Sequence, residues 1–362
     1  MSKALGPYSF LIMNDYEFTI EKIHLSSMKE KKELEDFLSL HQLKLDQDID
    51  LSIAIRRIQD RKIVGTASAA GKVLKDFAVL PDYQGEGLTN RLISELIHDQ
   101  TERGFKNLFV FTKPENSHFF ESLGFSTLVS IPSEVVLLEN SSTRFKSYIE
   151  DLKKKKTEGQ RIGSIVMNCN PFTLGHRYLI EKASEACDVL HLFIVWENAS
   201  LFPNEVRFKL VQEGIKDLKN IILHKGEDYI ISKATFPTYF IKSAEKILQT
   251  HARLDLTIFS KYIAPALGIN KRFVGTEPLC PATHTYNETM KQVLPQLGIA
   301  VDEIPRIEKN NEAISASRVR ELIRSNHLEK SKDLLPSSTW NYLHTVEAQP
   351  IIEKIKQTST RH

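Results

Sequence analysis

The chain has 362 residues, enough for two domains of roughly 150 residues each. With 26% charged and 41% hydrophobic residues it has the composition of an ordinary globular protein, and a formal net charge of +2 gives no reason to propose nucleic acid as a partner. No apolar run approaches the roughly 20 residues needed to span a bilayer, the first residues lack the apolar core of a secretion signal, and Cys169, Cys187 and Cys280 form no C-x-x-C pair. A reducing compartment, the cytoplasm, is the expected address, with no disulfide framework, zinc site or membrane partner.

In chain order, Leu74 to Leu80 reads as a strand ended by Pro81-Asp82. The loop Tyr83-Gln84-Gly85-Glu86-Gly87-Leu88-Thr89 follows, then a helical pattern on Leu92, Ile93, Leu96 and Ile97. Such a loop is either an ordinary turn before a helix or a place where successive N–H groups face a pyrophosphate. Asn107 to Phe111 reads as a further strand, and Asn116 to Phe125 as a helix closed by Gly124. The spacing of these elements resembles the GNAT acyltransferase family, whose loop Q/R-x-x-G-x-G/A holds the pyrophosphate of coenzyme A. The resemblance implies an α+β domain over residues 1–140, with Gln84, Gly85, Gly87 and Asn116 on a coenzyme-A-like arm. Two residues depart from the pattern: Thr89 replaces a third small residue, and Phe120 stands where many members carry a proton-donating tyrosine. A phenyl ring donates no proton.

Residues 141–160 are polar and carry Lys153-Lys154-Lys155-Lys156, the composition of a connector with a solvated basic face. From Arg161, strand-like runs (Ile162–Met167, Val189–Val195, Asn220–Leu223, Leu254–Phe259, Arg272–Gly275, Ile299–Ile304) alternate with helical ones (Asn204–Leu218, Thr238–Gln249, Thr283–Leu297, Ser317–Asn326). That alternation predicts a Rossmann-like parallel sheet over 161–348 with ligands at the carboxyl ends of its strands. The remainder, 349–362, reads as a polar tail, either disordered or a terminal helix.

The chemistry concentrates in Asn168-Cys169-Asn170-Pro171-Phe172-Thr173-Leu174-Gly175-His176, between the first of these strands and an amphipathic helix. A helix N-terminus offers unpaired N–H groups and partial positive charge to phosphates. Gly175 lets the backbone come close, and His176 can donate a ring N–H to a phosphoryl group that gains charge. Late in the chain, Ile314-Ser315-Ala316-Ser317-Arg318-Val319-Arg320 opens another helix, where Ser315 and Ser317 offer hydroxyls and Arg320 a planar fork. The ordered pair T-x-G-H and I-S-x-S-x-x-R resembles the HIGH-type nucleotidyltransferase superfamily. Its members attack the α-phosphate of a nucleoside triphosphate. No P-loop and no G-x-G-x-x-G after a strand is present.

Arg207 after Leu201-Phe202-Pro203, the segment Tyr229 to Phe240, and Phe273-Val274-Gly275-Thr276-Glu277-Pro278-Leu279-Cys280 narrow the resemblance, together with the GNAT-like half, to the citrate lyase ligase family. It covers nearly the whole chain. The resemblance implies that acetate attacks ATP, carried with Mg²⁺, to give acetyl-adenylate and pyrophosphate. The thiol of a coenzyme-A-like prosthetic group on the citrate lyase acyl carrier subunit then takes the acetyl group. It places His176, Thr173 and Arg320 at the reacting phosphates, and Asn168, Asn170, Pro171, Phe172, Gly175, Arg207, Ser315 and Ser317 around ATP. Glu277 either meets Mg²⁺ or caps a turn. The alternatives are an adenylyltransferase with a phosphate acceptor, of phosphopantetheine or mononucleotide type, and an acetyl-CoA-dependent acetyltransferase in the N-terminal half.

Overall fold

The computed structural model describes residues 17–197, 199–230, 243–278, 280–309 and 312–358. Contacts group the described residues up to Ser142 into one unit and those from Thr143 into a second.

The first unit runs β1 (Phe18–Lys22), α1 (Met28–Leu40), β2 (Leu51–Arg57), β3 (Ile63–Ala70), β4 (Val73–Val79), α2 (Leu88–Glu102), β5 (Phe109–Thr112), α3 (Ser117–Glu121), β6 (Ser126–Ile131) and β7 (Val135–Glu139). Its seven strands form one sheet in the order β1-β2-β3-β4-β5-β7-β6. The apolar stripe of α2, Leu88, Leu92, Ile93 and Leu96, is buried with Ile53, Val64, Leu74 and Val110 of the sheet. Only β4 and β5 run parallel, and their ladder covers just Val73↔Phe109 and Leu74↔Val110. Beyond those two pairs the strands part and open a cleft. The mixed α/β architecture is that expected for a GNAT-like domain.

The second unit begins with α4 (Arg144–Lys153), inside the segment read as a connector. Phe145 and Leu152 of α4 are buried, with Phe145 against Tyr229 and Tyr262, while Lys153 to Lys156 are exposed. There follow β8 (Ile162–Met167), α5 (Leu174–Glu185), β9 (Val189–Ile194), α6 (Asn204–Gly214), β10 (Ile221–Lys225), α7 (Ala244–Ile258), α8 (Ala264–Leu267), β11 (Lys271–Gly275), α9 (Pro281–Val293) and β12 (Ala300–Ile304). A two-strand ribbon, β13 (Glu308–Lys309) with β14 (Glu312–Ala313), leads to α10 (Ala316–Arg324), α11 (Ser337–Leu343) and α12 (Gln349–Gln357). The sheet is parallel, in the order β10-β9-β8-β11-β12. The strand order reverses between β8 and β11, the place where an open α/β sheet forms its ligand crevice. Here too the two strands pair only at Lys271↔Gly163 and Arg272↔Ser164, then separate.

One expectation needs correction. Leu254–Phe259 is no strand: it ends α7 and enters a π-helical turn, Phe259–Ile263, that runs on into α8. Ala252, Leu254, Leu256, Ile258 and Phe259 are all buried, so the end of this helix is covered on more than one side and its apolar residues there do not fall into a single helical stripe. Of the two alternatives for the end of the chain, 349–357 takes the terminal helix: α12 buries Ile351, Ile352 and Ile355 in the core of the second unit. The predicted segment from Ile231 to Phe240, with Tyr239 and Phe240, and the start of the predicted helix at Thr238 lie outside the described residues.

Candidate active site

The loop after β8 is built largely from its own hydrogen bonds. Cys169 has a left-handed backbone, φ +55°, and a fully buried thiol whose pKa burial raises to about 12, so it is inert. Asn170–Pro171 is cis. Phe172 is fully buried in the core, and its carbonyl accepts from Thr339 Oγ1 at 2.8 Å. Thr173 then caps α5, accepting the His176 N–H on Oγ1 at 3.4 Å.

The Thr173 N–H in turn donates to His176 Nδ1 at 3.1 Å. A main-chain N–H can only donate, so Nδ1 is the acceptor and the ring proton sits on Nε2. Burial, with Arg306 and Arg320 adding positive potential, presses the His176 pKa down to about 4. At neutral pH the ring is therefore an uncharged Nε2–H donor held at the start of a helix. This reciprocal capping box uses histidine where glutamate is usual.

The second signature meets the first directly. Ser315 caps α10, accepting from Arg318 N at 3.2 Å. Arg320, one turn on, is buried; its Nη1 donates to the Asn170 carbonyl and its Nη2 to Ser317 Oγ at 3.3 Å. A Cβ on Gly175 would stand 2.5 Å from the Ile314 carbonyl oxygen. Glycine is required there by the docking of the two motifs, a reason additional to phosphate approach.

Several predicted ATP-binding residues turn out to support the loop. Arg207, fully buried, donates from Nε to Phe202 O at 3.0 Å, from Nη1 to Asn168 O (2.8 Å), Asn168 Oδ1 (2.7 Å) and Val195 O (2.6 Å), and from Nη2 to Glu197 O at 2.5 Å. Its donors go to main chain and Asn168, so it braces the carboxyl ends of β8 and β9 instead of facing solvent as a phosphate ligand. Asn170 Oδ1 accepts from Phe202 N at 3.0 Å, and the exposed Asn168 donates to Ser200 Oγ at 3.0 Å. Glu277 pairs with Arg306 and accepts from Cys280 N at 3.1 Å, which is the turn-capping alternative. Among the described residues, no group of three His, Cys, Asp or Glu side chains is assembled for a metal. Arg306 went unnoticed in the sequence. It follows β12, donates from Nε to Thr276 O at 2.6 Å, and its charge reaches His176; its signal was a cation just past the end of a predicted strand.

In the first unit, the splay of β4 and β5 opens a cleft of about 500 Å³. Gln84, Gly85 and Asn116 line it, with Phe77, Thr112 and Phe120. Gly85 and Gly87 have φ of +90° and +75°, and Gly87 is the left-handed N-cap of α2, so both positions require glycine. Phe120 is buried against Phe77 and Phe125, with ring centres 5.1 and 6.0 Å apart, an apolar floor with no proton to give.

A seven-stranded unit with a GNAT-type loop, followed by a parallel α/β unit with two helix N-termini converging at its switch point, defines a two-domain α/β protein of the GNAT-plus-nucleotide-site class. Comparisons agree with both halves. The family model for the citrate lyase ligase C-terminal domain matches residues 162–343, and that for the acetyltransferase (GNAT) domain matches 53–127. The chain is 45% identical to the [citrate [pro-3S]-lyase] ligase of Klebsiella pneumoniae over 329 residues, 90% of this chain and 96% of that protein. It is 44% identical to the Escherichia coli K12 protein of the same name, over 90% of this chain and 93% of that one. A phosphopantetheine adenylyltransferase of Streptococcus gordonii is 25% identical over 112 residues, 30% of this chain and 68% of its own length. Among solved structures, Escherichia coli ElaA matches at 16% identity and TM-score 0.31, over 34% of this chain and 99% of that one. The chain belongs to the citrate lyase ligase family, and it is a ligase. No helix among the described residues is long and apolar enough to cross a membrane.

Proposed function

We propose that this ligase activates acetate with ATP and passes the acetyl group to the thiol of a coenzyme-A-like prosthetic group on the citrate lyase acyl carrier subunit, in the cytoplasm. The observation that carries this reading is the fixed His176 tautomer, an uncharged Nε2–H donor at the N-terminus of α5. A nucleophilic acetate oxygen forms a bond to the α-phosphorus of magnesium–ATP, and the bond to the β-phosphate bridging oxygen breaks. His176 and the first N–H groups of α5 stabilise charge that grows on the α-phosphate oxygens. Ser315, Ser317 and the N-terminus of α10 receive the departing pyrophosphate, while Arg320 holds the Asn170 carbonyl and adds positive potential. Acetate needs no base, being ionised at neutral pH. In the second step the thiol sulfur bonds to the acetyl carbon, AMP leaves as the carbon–oxygen bond breaks, and the thiol proton passes to solvent. The cleft beside Gln84, Gly85 and Asn116 takes the prosthetic arm.

ATP–pyrophosphate exchange with purified protein and Mg²⁺, with and without acetate, tests the first step. Exchange that requires acetate is the expected result. Exchange only with phosphopantetheine or a mononucleotide would establish the phosphate-acceptor reading instead, which the partial match to a phosphopantetheine adenylyltransferase favours. Acetyl transfer from acetyl-CoA to an amine, without ATP, would mark the first unit as an acetyltransferase.

A further inference from the structure

Arg272 is the second residue of β11 and only 2% exposed. Its neighbour Phe273 lies in the core with Ile165 and Leu192, so strand alternation turns Arg272 to the other face of the sheet. There its guanidinium stacks on the Phe259 ring, 4.4 Å from the ring centre. Nη1 is buried with no hydrogen-bond partner, and among the described residues no carboxylate lies within ion-pairing distance of it. A buried guanidinium carries five N–H donors and a full charge, and leaving it without an anion is costly.

Its surroundings point to a ligand. Arg272↔Ser164 is the last rung of the β8–β11 ladder, so this residue sits at the floor of the crevice where the two strands separate. Three residues on, about 10 Å along the strand, the Gly275 carbonyl accepts Asn287 Nδ2 at 3.0 Å, while Asn287 Oδ1 is buried without a partner. The Tyr148 hydroxyl is also buried without a partner. Asp255 is the carboxylate whose field reaches both Arg272 and Tyr148, and it accepts the Tyr286 hydroxyl at 2.5 Å. Of these groups Arg272 is the one that calls for an anion: its free Nη1 is a strong donor to a carboxylate oxygen, and the Phe259 ring fixes the plane of its fork.

We infer that Arg272 binds the carboxylate substrate, holding a short-chain acid at the floor of the β8–β11 crevice beneath the nucleotide. The inference rests on the acetate reading above and adds the residue that selects the acid. A guanidinium can pair both carboxylate oxygens in a planar fork.

The test is an acetate titration of ATP–pyrophosphate exchange with the wild type, Arg272→Met and Arg272→Lys. The acetate KM of R272M should rise by about 50-fold or more, with the ATP KM within about threefold, and R272K should fall between the two because a lysine lacks the bidentate fork. A folded R272M with an unchanged acetate KM overturns the inference. If R272M does not fold, the ¹⁵N–¹H arginine Nε signal missing from R272K identifies Arg272 in the wild type. That signal should shift with added acetate in the presence of a non-hydrolysable ATP analogue, and no shift overturns the proposal. If wild-type exchange does not depend on acetate, the functional reading fails. The same NMR titration with formate and propionate then decides separately whether Arg272 binds a short acid.

Discussion

Gly175 faces the Ile314 carbonyl oxygen so closely that an added Cβ would stand 2.5 Å from it. Each residue sits beside the start of a helix in the proposed site: Gly175 precedes His176, and Ile314 precedes the Ser315 cap of α10. Two helix N-termini about 140 residues apart in sequence are thus held against one another, as the I-S-x-S-x-x-R segment must be if both act on one triphosphate. Gly175→Ala forces this backbone contact apart, because the neighbouring atom is main chain. It should cost about 1–3 kcal/mol of stability, the usual range for overpacking. Exchange should fall more than stability accounts for. Urea denaturation alongside the exchange assay checks both; wild-type stability and activity in G175A would show that the two motifs do not depend on this contact.

His176→Ala removes the fixed Nε2–H donor and should lower acetate-dependent exchange by about 10²–10³-fold, the loss seen when an oxyanion donor is deleted. The depressed pKa also sets a pH signature. Its folded value, about 4, lies below the ordinary histidine value of 6.5, so the unfolded chain binds the proton more readily. The stability contributed by neutral His176 is complete above pH 6.5 and is lost as pH falls towards 4. Two more buried imidazoles act in the same direction: His191 Nδ1 and His224 Nε2 share a hydrogen bond at 2.9 Å, and burial pushes the two rings down to about 4 and about 3. Stability measured between pH 7 and 4 should therefore decline more steeply in the wild type than in H176A. Exchange by the wild type should show no inflection near pH 6.5.

Arg207 separates a structural from a binding role. With donors on the carbonyls of Asn168, Val195, Glu197 and Phe202, its removal leaves one buried and three part-buried acceptors without this partner. Arg207→Met should destabilise the protein by about 3 kcal/mol or more, since each unsatisfied buried group costs roughly 1–3 kcal/mol. A phosphate ligand would behave differently, with a large rise in ATP KM at unchanged stability. Denaturation curves and ATP KM on the same variant tell the two apart.

Arg207 also illustrates what a sequence conceals. A cation near the start of a helix after a strand is where phosphate ligands occur, and nothing in Leu201 to Arg207 reveals that the side chain turns inward. The strand–helix alternation of the second half was legible because β8 and β9 are short, mostly apolar runs bounded by polar residues, while β11 and β12, each with two charged residues, fall between helical patterns. The same rule failed at Leu254–Phe259, where Leu254, Leu256 and Ile258 alternate with Arg253, Asp255 and Thr257 in a two-residue period although the segment is helical. Of the site, the capping residues Thr173 and Ser315 were readable because capping is local. The Gly175–Ile314 contact, the Arg320–Asn170 bond and the Arg306–Glu277 pair were not, because each joins residues distant in sequence.

The part proposed for the first unit in acetyl transfer turns on its glycine loop. Gly85 and Gly87 take positive φ values that side-chain-bearing residues rarely adopt, and Gly85 lines the cleft with no atom within 4 Å of an added Cβ. Gly85→Val would therefore meet no steric clash in the empty cleft and would act through backbone strain, on the order of 1 kcal/mol, and through obstruction of any bound arm. Because the arm is needed only for acetyl transfer, the variant should raise the KM for the acyl carrier by about tenfold or more, while acetate-dependent exchange declines far less. Measuring exchange and carrier acetylation on one preparation separates the steps. An unchanged carrier KM would show that the prosthetic arm does not use this cleft. Equal losses in both assays would point to a general structural effect, which denaturation of the variant would reveal.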